Sequence, residues 1–325
     1  MLKDLDKILA KDLQVYATRP AVPFEELGSF LTNKIIWVSE PDDMLDYFND
    51  IKNSDIFIHT GWGNAGINKL DKKLRSFNKK IKIYVLVDNR FKKSLKQFMG
   101  FFLMQFKLKY LYDGFIVSGA SAQKLVRFLG IPKEKIASGH YGAPSDLYPR
   151  WDSSIVKDNC FTFIGTLDKR KGADILLDAW KSYKSEGGTY SLNIIGEGLY
   201  SSQFYDLKDV HVHGFLQPKE ASKILLQSCA FILPGRDDNW ATVIAEACAS
   251  GCIILSTKKV GAVQDLLDSS NGFLIHPNNI TEVKKYLFQV EKIDFDTKNL
   301  MYNSSVLKSN QYDSERLTKA IIQLA

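Results

Sequence analysis

The stretch FILPGRDDNWATVIAEACASGCIIL, residues 231–255, reads as a strand ending at Pro234, an acidic loop around Asp237 and Asp238, an Ala-rich helix running to Gly251, and a second strand. Strand, helix and strand in so short a span describe a unit of parallel sheet. Within it, Asp238 and Glu246 stand eight residues apart. On one continuous helix that spacing is just over two turns and would set both carboxylates on one side; with Asp238 in the loop, it can instead reach another part of a ligand.

The same rhythm extends in both directions. CFTFIGTL, SLNIIGEG, VHVHGFL and GFLIHP are further apolar runs closed by turn residues, and helical patterns such as ADILLDAWKSYKS separate them. In the front half LQVYA, KIIWVSE, DIFIHTG, KIYVLVD, DGFIVSG and KIASGHYG repeat the alternation. The fold class is therefore α/β, with two doubly wound parallel sheets. Residues 142–159, GAPSDLYPRWDSSIVKDN, mix Pro, Asp and Ser without apolar periodicity. The linker is expected near 148–158, between a first domain over 1–153 and a second over 154–308. The closing segment SERLTKAIIQLA has helical spacing behind a Ser314 cap, and a helix over about 309–325 has the first domain as one packing option.

With 325 residues, 45% of them apolar and 12% aromatic, the chain can bury real cores, which excludes disorder, a mini-protein and a fibre. Charge divides unevenly: residues 1–150 hold 24 Lys/Arg against 16 Asp/Glu, net +8, and residues 151–325 hold 19 against 21, net −2. The basic residues of the front half are scattered among acids, which argues against a nucleic-acid partner. Cys160, Cys229, Cys248 and Cys252 lie in apolar stretches without a C-x-x-C pair, the pattern of reduced core residues in a cytoplasmic protein. The N-terminal MLKDLDKILAKDL is too charged for a secretory signal. The longest uncharged apolar window, Gln97 to Phe106, is about half of the roughly 20 residues a membrane helix requires.

In doubly wound folds ligands collect beyond the carboxyl ends of strands. FIGTLDKRKGADILLDAW, residues 163–180, places Gly165, a turn with Lys169, Arg170 and Lys171, and then Gly172 and a helix start at such an edge. Clustered cations and a helix N-terminus both favour phosphate, although a solvated basic turn would read the same way.

In order along the chain, FIGTLDKRKG, LNIIGEG, VHVHGFL, the acidic loop with EACASGCIIL, KKVGAVQDLL and NGFLI resemble the donor-binding half of family 4 glycosyltransferases over about residues 160–290. The resemblance implies a GT-B fold: two Rossmann-like domains facing a cleft, with a sugar nucleotide bound mainly by the C-terminal one. It implies a retaining, metal-independent transferase that moves a hexosyl group from a nucleotide-sugar donor to a glycan acceptor and needs no cofactor beyond that co-substrate. The family's Glu-x7-Glu motif stands here as Asp238-x7-Glu246. By the resemblance, Glu246 would accept from the ribose hydroxyls, Asp238 would hold sugar hydroxyls, and Lys171 would bind phosphate and stabilise charge on the leaving group. Asn239, Trp240, Ala241, Thr242 and Val243 would line the diphosphate and sugar, the last four replacing the family's usual aromatic-Gly-Leu-Val. Gly214, Phe215 and Leu216 would border the base. Gly165-Thr166-Leu167 lacks the arginine common in that turn, and Arg170 or Arg236 is expected to replace the missing charge.

In the front half, SDIFIHTGWGNAG places His59 at a strand end where the family often carries a histidine facing the donor sugar. A lone histidine there is also a common structural residue. The family's further histidine is replaced by Asp88 in YVLVDNRF, and its Gly-rich loop is not evident in VYATRPAVPFEELGSF, residues 15–30. FKKSLKQFMGFFLMQFKLKY, residues 91–110, interleaves lysines with large apolar residues. Two readings stand: a helix resting on an anionic membrane, bringing a lipid-linked acceptor at the inner face of the plasma membrane, or a core helix with solvated lysines at its ends. No metal set is read from Asp42-Asp43, Asp237-Asp238 or the alternating His211 and His213. A non-catalytic sugar-nucleotide-binding partner is the alternative function. A nicotinamide oxidoreductase is disfavoured because Gly196-Glu197-Gly198 lacks the third glycine at the required spacing.

Overall fold

Each apolar run named above becomes a strand. The computed structural model describes residues 2–19, 31, 35–313 and 315–325; the Ser314 cap and most of the 15–30 loop lie outside them. The chain divides into two units, Met1–Tyr141 with Ser314–Ala325, and Gly142–Asp313.

The first unit runs α1 (Leu2–Leu9), β1 (Tyr16–Thr18), β2 (Ile36–Val38), α2 (Phe48–Ile51), β3 (Ile56–Thr60), α3 (Ala65–Phe77), β4 (Lys82–Val87), α4 (Leu95–Leu103), β5 (Gly114–Val117), α5 (Ala120–Phe128) and β6 (Ile136–Ser138). Instead of one sheet there are two. β1 and β2 form a separate parallel pair, and β3-β4-β5-β6 form a parallel sheet in sequential order. The two short strands are largely half-exposed, whereas β5 is buried throughout, as the interior of a doubly covered parallel sheet requires. On one face Leu70 and Leu74 of α3 join Ile83, Val85 and Val87 of β4 and Leu125 and Val126 of α5.

The second unit runs β7 (Asp158–Ile164), α6 (Ala173–Ser185), β8 (Ser191–Ile195), α7 (Ser201–Tyr205), β9 (Val210–Gly214), α8 (Pro218–Gln227), β10 (Ser228–Leu233), α9 (Thr242–Ala249), β11 (Ile253–Thr257), α10 (Val263–Leu266), β12 (Gly272–Ile275), α11 (Ile280–Lys292) and α12 (Phe295–Ser309). Its parallel sheet has the order β12-β11-β10-β7-β8-β9. This is the Rossmann arrangement, with the direction of winding reversing between β7 and β10. Every residue of β10 and β11 is buried, which is why these strands are uninterrupted apolar runs. The four cysteines of this unit are free and buried.

The last helix, α13 (Arg316–Leu324), returns to the first unit, where Leu317 and Ala320 pack with Tyr84, Ile116 and Ala137. The division between units falls at Tyr141–Gly142, earlier than the break at 153/154 that polarity suggests. Tyr148 and Trp151 explain the difference: both are buried, Trp151 N–H donates to the Ala249 carbonyl at 3.1 Å, and the indole covers Gly251. A segment that is polar on average is thus tied to the second unit by two aromatic rings. Among the described residues, no helix is long and apolar enough to cross a membrane.

Candidate functional site

The crevice between β7 and β10 is where a sheet of this order collects ligands. Two loops meet there. Gly172 closes the turn after β7 with φ +78°, and a Cβ at that position would stand 2.2 Å from the Pro234 carbonyl at the end of β10. Only glycine permits that approach. The loop after β10 is held in turn by the one after β11: Asp238 N–H donates to the Lys259 carbonyl at 3.0 Å, Gly261 N–H to the Asp238 carbonyl at 3.0 Å, and Ala262 N–H to the Trp240 carbonyl at 2.8 Å.

This scaffold brings Lys171 Nζ to 2.5 Å from Asp238 Oδ2, with Arg170 Nη1 at 3.6 Å from the same oxygen. The Lys171 and Asp238 side chains retain only 14% and 12% exposure, so their pairing is largely shielded from water. The Lys171 N–H donates to Asp168 Oδ1 at 2.8 Å, fixing the start of the ammonium's stem. Asp238 lies in the loop and Glu246 lies on α9, so the carboxylates come from two elements and not from one helix. Burial pushes the Glu246 carboxyl up to about 7, against the opposing pull of the Tyr148 hydroxyl bonded to it and of the Lys171 charge. The Tyr148 hydroxyl is itself pushed up by burial and then by the Glu246 charge. One ammonium, from the turn after β7, thus stands under the influence of two carboxylates that follow β10, one in the loop and one on α9.

The remaining expected residues divide into groups. Gly165 and the exposed Thr166 follow β7 directly, and Asn239 lies in the β10 loop with its carbonyl against Gly261. Trp240 is 3% exposed, with its ring centroid 5.4 Å from that of Tyr312, so it packs the loop onto the unit. Ala241 sits at φ +64°, the left-handed conformation that a glycine adopts without strain. It is the N-cap of α9 and supplies no side-chain cap, so nothing at that position competes for the N–H groups of the first turn, Thr242 and Val243. Gly214, Phe215 and Leu216 close β9 on the far flank, partly buried, and the Gly214 carbonyl accepts from Gly196 N–H at 2.7 Å.

Of the two cations expected to replace the missing arginine, Arg236 has other partners: it grips Asp174 with two bonds of 2.6 and 2.8 Å and donates to the Lys169 carbonyl and the Asn278 side chain. Those Asp174 bonds raise its pKa further above the usual arginine value. Arg170, 49% exposed, is the one placed beside Asp238. In the first unit, His59 Nδ1 is 2.9 Å from the Thr60 carbonyl and Nε2 is 3.3 Å from Asp71 Oδ2, with both side chains buried. Both ring nitrogens therefore lie against oxygens of that unit. Asp88 receives the Tyr141 hydroxyl at 3.3 Å. His213 Nε2 meets Asn193 Oδ1 at 3.0 Å, and no three potential metal ligands converge among the described residues.

Two residues escaped sequence reasoning. Tyr148 is hidden inside a segment that reads as linker, the only local signal being an aromatic ring in a polar stretch. Asp71 lies among the lysines of α3, where nothing local marks it as the partner of His59.

Residues 150–305 match the family described as "Glycosyl transferases group 1". WcaL of Salmonella typhimurium strain LT2, described as a putative colanic acid biosynthesis glycosyltransferase, is 25% identical over 189 residues, which is 53% of this chain and 46% of WcaL. The match thus spans about half the length of that curated relative. Among solved structures, Anabaena HepE in complex with UDP aligns over 99% of this chain and 94% of its own, with a TM-score of 0.76 and 14% identity. A glycosyltransferase from Rickettsia africae aligns over 99% and 92%, with a TM-score of 0.74 and 13% identity. At that identity the likeness speaks for the fold alone, which is GT-B. Over residues 150–305, just under half of its length, the chain thus matches the group 1 glycosyl transferases, and that stretch carries the Rossmann unit described above.

Proposed function

We propose that the protein is a retaining glycosyltransferase that passes a hexosyl group from a nucleoside-diphosphate donor to a glycan acceptor, carried on a lipid, during assembly of a bacterial surface polysaccharide at the cytoplasmic face of the membrane. The observation that carries this reading is the meeting of Lys171 with Asp238 and Glu246 at the reversal point of the second sheet. WcaL lends the class of product and HepE the choice of nucleotide to try first.

In the structure the Lys171 ammonium and the Asp238 carboxylate satisfy each other. A donor would exchange these partners: its diphosphate takes Lys171 and Arg170, its sugar hydroxyls take Asp238, and its ribose hydroxyls take Glu246. In transfer, the bond between the anomeric carbon and the β-phosphate oxygen breaks, and the acceptor oxygen bonds to that carbon on the same face. The departing diphosphate takes the acceptor's proton. Negative charge grows on the leaving phosphate, where Lys171, Arg170 and the first N–H groups of α9 stabilise it. The chain's own cations and amides fill this role, with no resident metal in the proposal.

Thermal melting with UDP, UDP-sugars and the other nucleoside diphosphates tests this reading, since a ligand at 100 times its Kd adds about 2.7 kcal/mol of stability. A rise in Tm with one base, lost in Glu246→Ala, followed by Asp238-dependent release of nucleotide from the sugar nucleotide, is the expected result. Silence toward every nucleotide would overturn it, and binding without turnover would leave a sugar-nucleotide-binding partner in its place.

A further inference from the structure

The first unit leaves a large apolar surface uncovered on α4 and the π-helical turn Met104–Leu108 that continues it. One side of this helix is seated: Gly100 lies on Trp62, where a Cβ would stand 2.9 Å from the indole, and Met104 and Leu108 are 0% and 2% exposed. The opposite side carries Leu95, Phe98, Met99, Phe102, Phe106 and Tyr110, each more than half exposed. These positions follow helical spacing, so they form one stripe and not scattered surface residues. A four-residue step overshoots a 3.6-residue turn by about 40°, so Phe98, Phe102, Phe106 and Tyr110 would drift round a regular helix. The π turn, closed by Lys109 N–H on the Met104 carbonyl, counters that drift, and the Phe102 and Phe106 rings lie parallel, 6.4 Å apart.

Charge identifies the occupant. From residue 89 to residue 112 the chain has six Lys/Arg and no Asp or Glu. Lys92, Lys93 and Lys96 stand at one end of the stripe and Lys107 and Lys109 at the other. A second copy of this face would bring six more positive charges against the first. A surface of acyl chains beneath a plane of anionic headgroups would match both features, with rings in the interface and ammonium groups at phosphate level. We infer that the exposed face of α4 and its π turn docks this protein on an anionic lipid bilayer, the helix lying in the plane of the interface.

The inference is independent of the chemistry proposed for the second unit, although a membrane-bound protein is well placed to meet a lipid-linked acceptor. Cosedimentation of the full chain with phosphatidylcholine vesicles, with and without 30 mol% phosphatidylglycerol, tests it. Binding at least tenfold tighter to the anionic vesicles is expected, falling about fivefold for each of Lys93→Gln, Lys96→Gln and Lys107→Gln. The triple variant Leu95→Ser, Met99→Ser, Phe106→Ser is expected to lose at least tenfold in partitioning, with an unchanged Tm and an unchanged response to UDP in lipid-free solution. Equal partitioning of wild type and all four variants would overturn the inference, and so would a wild-type dimer that the serine variant dissociates. Because nucleotide binding is read without lipid, failure of docking and failure of the catalytic reading are separate results.

Discussion

Helices α4 and α9 are nearly equal in length, nine and eight residues, and both are dominated by apolar side chains, yet they meet opposite fates. In α9, Val243, Ile244, Ala245, Ala247, Cys248 and Ala249 are all buried; in α4 only Gly100 is. The difference lies in side-chain size and in neighbours. The alanines and cysteine of α9 let it sit close against the sheet, with α8, α10 and α12 around it. The phenylalanines of α4 project from a helix seated along one side only, on Trp62 and Phe128. Apolar content creates the need for a cover, and topology decides whether the chain supplies it. Glu246, the carboxylate carried by α9, owes its raised pKa to burial.

The contrast can be broken most sharply in the core. Ile244→Ala on α9, at a side chain with 0% exposure, is expected to cost about 2–5 kcal/mol in denaturant unfolding. Phe106→Ser in the π turn that continues α4, at 76% exposure, is expected to stay within about 0.5 kcal/mol of wild type. A comparable loss at both positions would mean that the α4 face is covered within the protein. Next in size, Lys171→Ala is expected to lower sugar-nucleotide turnover by about 10²–10³-fold while the Phe106→Ser protein turns over normally in a lipid-free assay.

A smaller effect follows from Glu246. Its folded-state pKa of about 7 lies above the ordinary 4.5, so the native protein holds the proton more tightly than the unfolded chain does. The stability this contributes is fully present below about 4.5 and is lost as pH rises through about 7. Nucleotide binding runs the other way, because the ionised carboxylate is the better acceptor for ribose hydroxyls. Calorimetric titration is expected to show affinity about tenfold weaker at pH 6 than at pH 8, a slope that Glu246→Gln removes. Smallest is Ala241→Gly. Left-handed backbone costs an L-residue about 1–2 kcal/mol, and the added freedom of glycine in the unfolded chain returns about 0.4–1 kcal/mol of that. A net gain of about 0.5–1 kcal/mol in thermal unfolding is expected, and a loss would show that the Ala241 methyl makes contacts worth more than the strain.

Much of the second unit was legible before any coordinates. Its strands are continuous apolar runs, its turns carry glycines where backbones touch, and Lys171, Asp238 and Glu246 stand in a recognisable order. The first unit was legible as strands but not as sheets, because whether three-residue β1 and β2 join β3 is decided by cover and not by local pattern. The choice between Arg170 and Arg236 was equally closed to sequence: both flank the same loops, and only the fold shows that Asp174 holds Arg236. His59 was read from its place after a strand, and the buried Asp71 that faces it comes from a different element.

Sequence alone determined the alternation of strand and helix, the parallel sense of the sheets and the residue types available at the strand ends, because these follow from local periodicity and short connections. Tertiary structure decided which charges meet. Lys171 and Asp238 are 67 residues apart along the chain and 2.5 Å apart in space. It also decided which of two apolar helices faces water. Pair distances and solvent exposure depend on what the rest of the chain brings alongside a segment, and no window of sequence contains that.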